Sequence, residues 1–259
     1  MSRMKILHII SGLDTGGAER ALYNLLAGGL AERFDCTVLS LRDEGTMGAS
    51  IKQLGVPVKT LGLRAGVSGP KAFLRLRQLV SDLGPDVIQG WMYHGNLAAS
   101  LAAKMAPKRP VMAWNVRQSL YDLRSGNWMT GQIIRVGRRI SDRADAIIYN
   151  SRIARDQHEK FGFATKRSIV IPNGFDCARL QPALEIGTRM RQELGIDTNA
   201  TLVGHVARFN RIKDHAGYLR AAVEVAKVQP NAHFLMVGRN ITRENALLTE
   251  IVPTDLRPR

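Results

Sequence analysis

Seven short apolar runs punctuate the first two thirds of the chain, at 4–12, 36–41, 56–63, 86–93, 110–116, 146–150 and 168–172. Most are rich in Val and Ile and nearly continuous in apolar character, as strands buried on both faces are. Helical patterns separate them. Ala18, Leu22, Leu25, Leu26 and Leu30 recur at three- and four-residue spacing. Phe73, Leu74, Leu76, Leu79, Val80 and Leu83 follow Pro70, a proline suited to a first helical turn. Ser151 is placed to cap a helix running toward Phe161. So much alternation of strand and helix leaves one economical solution, a parallel sheet covered on both faces, and the class is α/β.

The pattern thins after residue 180. Gln181-Pro182 reads as a linker, 183–194 as a helix closed by Gly195, and two strands follow at 201–209 and 233–237. A helix at 214–228, stopped by Pro230, lies between them, another is expected at 243–251, and the tail 253–259 shows no clear element. The expected division is a complete Rossmann-like domain at 1–180 and a partial second one at 181–259, because two strands do not make a doubly wound domain. Two cysteines, Cys36 and Cys177, exclude a disulfide framework and fit a reducing cytosol. No apolar run approaches bilayer length, and the first residues lack the pattern of a signal peptide.

The charge is uneven. The 37 Lys and Arg residues outnumber 22 Asp and Glu, a balance of +15. Up to position 180 there are 26 basic and 14 acidic residues, or +12; after it 11 and 8, or +3. The excess implies either an anionic partner or simply a basic soluble surface. No zinc-finger, RNP-like or basic-zipper pattern supports nucleic acid as that partner. A segment near 132–143 sets Ile133, Ile134, Val136 and Ile140 against Arg135, Arg138, Arg139 and Arg143. Such a helix either lies on an anionic membrane or packs its isoleucines inward and solvates its arginines.

Several strand ends carry residues with chemical potential. After the first strand, Gly16-Gly17 opens a helix, where backbone amides and the helix dipole favour an anion; tight packing is the plainer reading. The turn is neither G-x-G-x-x-G nor a Walker A loop. His94 ends Trp91-Met92-Tyr93-His94 at the carboxyl end of the fourth strand, the edge at which open α/β sheets bind ligands. Asn115-Val116-Arg117 and Asn150-Ser151 also follow strands and either line that crevice or cap turns. Asn173-Gly174 supports a tight turn with positive φ. In the second unit, Val206-Ala207-Arg208-Phe209-Asn210-Arg211-Ile212-Lys213-Asp214-His215 leaves a strand and opens a helix. Arg208 as a fork and Lys213 as a point charge suit a diphosphate. The remaining histidines show no metal-ligand spacing.

Taken in order, Gly16-Gly17-Ala18-Glu19, Trp91-Met92-Tyr93-His94, Ile171-Pro172-Asn173-Gly174-Phe175-Asp176 and the segment around Arg208 and Lys213 resemble the family 4 glycosyltransferases. These are retaining enzymes of the GT-B fold, built from two Rossmann-like domains. The resemblance runs to about Glu250 and implies a nucleotide-sugar donor bound between the domains and a glycan or lipid-linked acceptor held by the first. It implies Arg208 and Lys213 on the donor diphosphate, Gly16 and Gly17 near the reacting phosphate, and His94 as the catalytic residue near the transferred sugar. Asn115 and Arg117 are the acceptor-side candidates. Neither cofactor nor metal is expected: preorganised cations and amides stabilise a departing diphosphate, and the Asp-x-Asp of metal-dependent transferases is absent from the sequence.

The resemblance has one departure. The family carries a Glu-x7-Glu motif late in its second domain, whereas the Glu185 and Glu193 pair here precedes the Arg208 strand. The expectation is therefore an enzyme of polysaccharide biosynthesis truncated in its donor domain, cytoplasmic and peripheral on the inner face of the membrane. The alternative is a non-catalytic acceptor- or membrane-binding remnant.

Overall fold

The computed structural model describes residues 3–63, 69–120 and 128–251, so the tail at 253–259 lies outside the described residues. The chain divides into two compact units, Met1–Cys177 and Ala178–Arg259.

Unit 1 is built on a seven-stranded sheet: β1 (Lys5–Ile10), β2 (Asp35–Ser40), β3 (Val58–Thr60), β4 (Val87–Trp91), β5 (Val111–Val116), β6 (Ala146–Tyr149) and β7 (Ser168–Val170). The order is β3-β2-β1-β4-β5-β6-β7 and every pairing is parallel. The order reverses between β1 and β4, the topological switch point at which such sheets bind ligands.

Right-handed crossovers decide which face each helix covers. Helices Gly17–Leu25 and Met47–Gln53, which lead to β2 and β3, lie on one face. There Leu22, Leu26 and Ile51 pack on Ile10, Val38 and Trp91. From Pro70–Leu83 onward the crossovers run the other way, so helices Met92–Met105, Trp128–Ile140 and Arg152–Phe161 share the opposite face. Leu76, Val80, Ala99 and Ala102 cover Leu7, Ile9 and Ile88, while Ile134, Ala154 and Phe163 cover Trp114, Ile147 and Tyr149. Among the described residues, no crossover helix covers the first face of β5–β7. Val111, Ile169 and Ile171 stay exposed there, whereas Met112, Trp114, Ile147 and Tyr149, which point the other way, are buried.

Local signals act as the sequence implies at three helix ends. Pro70 sits in a first turn, Ser151 Oγ accepts from the Ala154 amide at 3.1 Å, and Gly195, in the left-handed region, follows helix Leu184–Glu193. The periodic run through Leu30 is not one straight helix, however. Beyond Leu25 it kinks at Gly28-Gly29, where Gly29 takes a φ of +102° that glycine tolerates best.

Unit 2 holds β8 (Thr201–Val206) and β9 (Ala232–Val237), parallel and in register from Thr201↔Ala232 to Val206↔Val237. Helices Leu184–Glu193 and His215–Val228 accompany them. The helix expected at 243–251 spans only Ala246–Thr249. Among the described residues, the buried apolar side chains of this unit are Ala200, Leu219, Ala222, Ala226, Ala232 and Leu248.

Candidate active site

Two elements leave the switch point of unit 1 at adjacent strand ends. After β1, the chain turns through Ser11–Gly16 and enters helix Gly17–Leu25, with Gly16 as an extended N-cap. Leu13 anchors the turn: it is fully buried, and its carbonyl accepts from the Met47 amide at 2.8 Å. The Thr15 and Thr46 hydroxyls pair at 2.9 Å. The two glycines differ. A Cβ on Gly16 would strike the Glu19 carboxylate, whereas one on Gly17 would meet nothing within 4 Å. Beside Gly16 stands only the end of a flexible side chain, and open space lies beside Gly17.

After β4 there is no loop. Helix Met92–Met105 begins at the next residue, with Met92 at φ +61°, a left-handed conformation unusual for a side chain of that size. The sequence reading set His94 just before a helix; it lies instead in the first helical turn and is exposed. Two glycines allow this turn to press onto the sheet. A Cβ on Gly90 would stand 2.6 Å from Asn96 Cα, and one on Gly95 would stand 2.5 Å from the Ile9 carbonyl oxygen. Partial desolvation lowers the His94 pKa from its ordinary value, which favours the neutral imidazole. Its neighbour Tyr93 is buried, and its hydroxyl lies 2.8 Å from His158 Nε2. His158 Nδ1 lies 2.6 Å from the Ala154 carbonyl, which can only accept. Nδ1 therefore carries the proton and Nε2 accepts from Tyr93. Burial lowers the His158 pKa and pushes the Tyr93 hydroxyl up to about 12, so both stay neutral near pH 7.

Beside this elbow is a polar cluster whose membership the sequence did not disclose. The Arg117 guanidinium lies 5.7 Å from the centre of the Trp91 ring, a cation–π distance. Its Nη1 donates to Asn115 Oδ1 at 3.1 Å and its Nη2 donates to Asn173 Oδ1. The Arg117 carbonyl accepts from Asn150 Nδ2 at 3.2 Å, and Asn96 Oδ1 accepts from the Asn115 amide at 3.2 Å. Desolvation lowers the Arg117 pKa, yet a guanidinium keeps its charge at any physiological pH. Among the described residues, Arg117 Nε and Asn96 Nδ2 are buried without partners. Such donors are costly unless something meets them. The segment at 171–176 also differs from expectation. Neither Asn173 nor Gly174 has a positive φ. Asn173 instead serves Arg117, and the Gly174 carbonyl accepts from Asn24 Nδ2 at 3.0 Å.

The basic helix resolves in part toward packing. Ile134 and Gly137 are buried against the Trp114 and Phe163 side of the core, and Arg135, Arg138, Arg139 and Arg143 are exposed. Trp128, Met129 and Val136 are exposed on the same element.

In unit 2, the backbone ladder continues past β8 through Ala207 and Phe209, whose amides donate to Val237 and Arg239 at 2.9 Å. Arg208 lies between them and Lys213 closes the 3-10 turn Arg211–Lys213, and both are exposed. Asp214, in the left-handed region, caps helix His215–Val228 by accepting from the Gly217 amide at 3.0 Å. His215 is buried, with its ring centre 4.7 Å from that of His205 and 5.4 Å from that of Phe209. This packing fixes the start of the helix. Arg208 and Lys213 thus occupy one strand–helix loop, and neither has an ion-pair partner among the described residues. No group of three or more His, Cys, Asp or Glu side chains among the described residues could hold a metal ion.

The profile of Glycosyltransferase Family 4 matches residues 15–179, most of unit 1. The chain belongs to this family. EpsF of Bacillus subtilis, assigned as a glycosyltransferase, is 25% identical over 242 residues, covering 86% of this chain and 59% of its own. The D-inositol 3-phosphate glycosyltransferase of Corynebacterium jeikeium is 33% identical over 101 residues, 38% of this chain and 24% of that protein. Among solved structures, HepE of Anabaena, crystallised with UDP and glucose, superposes with a TM-score of 0.77 at 23% identity. That match covers 96% of this chain and 64% of HepE. The chain therefore spans less than two thirds of the length of these relatives. The α/β fold, with its seven-stranded parallel sheet, matches that of the GT-B glycosyltransferases. No described helix is long and apolar enough to cross a membrane.

Proposed function

We propose that this family 4 chain transfers a sugar, with retention of configuration, from a nucleoside diphosphate sugar to a glycan or lipid-linked acceptor. The observation that carries the reading is the switch point of unit 1. The Gly16-Gly17 helix start and the His94 elbow leave adjacent strands at the carboxyl edge, inside the segment the family profile matches. UDP is the donor nucleotide the reading favours, because HepE was crystallised with it.

In this reading the departing diphosphate is held by the Arg208 fork and the Lys213 ammonium, both unpaired and so available for an anion. The Gly17 amide and the positive end of its helix face developing phosphate charge. His94, neutral and exposed, accepts a hydrogen bond from the transferred sugar or offers one to it. Asn115 and Arg117 serve the acceptor, with Trp91 and Asn173 keeping the guanidinium in place. No step calls for a metal or a cofactor. Trp128 and Val136, exposed beside Arg135 and Arg139, support peripheral contact with an anionic membrane at the cytoplasmic face.

Calorimetric titration with UDP tests the donor assignment. Arg208→Ala and Lys213→Ala should each weaken binding by about tenfold, and added salt should weaken it further. An affinity indifferent to both substitutions would remove these residues from the reading. Incubation with UDP-sugars, followed by the anomeric signals of the product, tests transfer. An inverted product would overturn retention. UDP binding without turnover by the full-length protein would leave a binding module.

A further inference from the structure

A cavity of about 470 Å³ opens at the amino end of the unit 1 sheet, at the edge opposite the switch point. It is bounded by the second half of helix Met92–Met105, the start of β5, and the turn between helix Trp128–Ile140 and β6. Its size falls within the range of small-molecule pockets. Nothing in the glycosyl-transfer reading uses it.

The lining has two chemistries. Leu97, Leu101, Met112 and Ile140 give an apolar wall, and Leu101 remains 40% exposed on it. Lys104, Arg109 and Arg143 bring positive charge and, among the described residues, Asp145 brings the one negative side chain. Asp145 is already engaged. Its Oδ1 lies 3.2 Å from Arg167 and 3.5 Å from Arg109, and its Oδ2 accepts from the Met112 amide at 2.9 Å. Arg109 is paired loosely with that carboxylate from an exposed position. Lys104 and Arg143, by contrast, have neither a hydrogen-bond nor an ion-pair partner among the described residues.

The helix ends oppose these cations. Two helices finish near the cavity, and each C-terminus carries roughly half a negative charge. Together they offset about one of the two unpaired cations and leave about one positive charge beside an apolar wall. That balance does not suit a polyanion. Among the described residues, the wall also lacks an aromatic ring on which a nucleobase could stack. It suits a molecule with an apolar body and a single anionic head.

We propose that this cavity binds an amphiphilic anion, an alkyl or acyl chain ending in one phosphate or carboxylate, with the chain against Leu97, Leu101, Met112 and Ile140 and the head between Lys104 and Arg143. The site is separate from the donor and acceptor positions and shares one element with them. Helix Met92–Met105 carries Lys104 near its end and His94 in its first turn.

Octyl phosphate below its micelle concentration is the probe, titrated by calorimetry into the wild-type chain, with octanol and inorganic phosphate as its two halves. Octyl phosphate should bind at least about tenfold more tightly than either half, because the site rewards both chemistries. The Lys104→Ala, Arg143→Ala double variant should lose about tenfold for octyl phosphate and nothing for octanol. Leu101→Glu, which places a carboxylate on the exposed part of the wall, should abolish binding. All variants should keep the wild-type thermal midpoint and UDP affinity. Phosphatidic acid vesicles form a second arm. Equal retention of wild type and double variant assigns the cavity to dissolved amphiphiles, and loss of the double variant from vesicles assigns it to lipid headgroups. Octyl phosphate binding no tighter than octanol, or indifferent to the double substitution, would overturn the proposal.

Discussion

Unit 1 and unit 2 use the same device, parallel strands joined by helices, with very different interiors. The core of unit 1 holds large side chains fully enclosed, among them Trp91, Trp114, Tyr149, Leu7 and Ile9. The buried set of unit 2 is four alanines and two leucines, and Val203, Val206 and Val237 on its strands remain exposed. Burial scales with apolar area, so an alanine adds little. A seven-stranded sheet also protects its central strands, whereas both strands of a two-stranded sheet are edges. The comparison teaches that one topology yields unequal stability when the number of layers that enclose it differs.

The largest expected effect comes from equal truncations in the two cores. Leu7→Ala should cost about 4 kcal/mol and Leu219→Ala about 2 kcal/mol, because Leu219, though buried, lies in a core made mostly of alanines. Urea unfolding followed by probes in each unit reads both. Equal costs would mean that unit 2 is enclosed as tightly as unit 1.

Acid should act on unit 1 through His8. This residue is fully buried, its Nδ1 accepts from Trp91 Nε1 at 3.4 Å, and desolvation lowers its pKa to about 4. The native state keeps the ring neutral while the unfolded chain takes up a proton near pH 6.5. Stability is therefore complete above about pH 6.5 and falls as the pH drops toward 4, by up to about 3 kcal/mol. His158, shifted the same way, adds to that slope. His8→Gln should flatten the pH dependence of the unit 1 unfolding midpoint. A slope unchanged by that substitution would contradict the assignment.

Two glycines at the switch point separate packing from function. Gly95→Ala forces a methyl group against the Ile9 carbonyl and should cost about 2 kcal/mol. Gly17→Ala adds a methyl group in open space and should change stability by no more than about 0.5 kcal/mol. It should nevertheless weaken UDP binding about tenfold if the Gly17 amide approaches a phosphate. Unaltered UDP affinity in Gly17→Ala would return that glycine to a purely structural role.

The smallest expected effect is in amide exchange. The β8 and β9 amides should exchange at least about tenfold faster than those of Leu7 to Ile10 in β1. Equal protection would show that unit 2 finds further cover in solution, for instance in a second copy.

The fold was legible because its signals are local and repeated. Six of the seven strands of unit 1 lie inside an apolar run seen in the sequence, β2 begins one residue before its run, and helix ends at Pro70, Ser151 and Gly195 follow residue chemistry. The candidate site was legible only as a set of strand ends. Which side chains meet there is a long-range matter: Arg117 and Asn173 are 56 residues apart and Tyr93 and His158 are 65 apart. No periodicity encodes such pairs. The Asn173-Gly174 turn misled for a related reason. Local propensity favoured a left-handed glycine, but the Asn173 side chain is engaged by Arg117 and the Gly174 carbonyl by Asn24. The short helix at Ala246–Thr249 likewise reflects thin tertiary support, since only Leu248 of its residues is buried.

The junction at Met92 has a consequence for how this protein can vary. Six residues of turn separate β1 from its helix, and that stretch has slack. None separates β4 from helix Met92–Met105. One residue inserted there would turn the helix by about 100°. Gly95 would leave the Ile9 carbonyl, Asn96 would leave the space above Gly90, and His94 would swing away from the edge of the sheet. Insertions and deletions can reshape the turns around this crevice, but the elbow can change only by substitution.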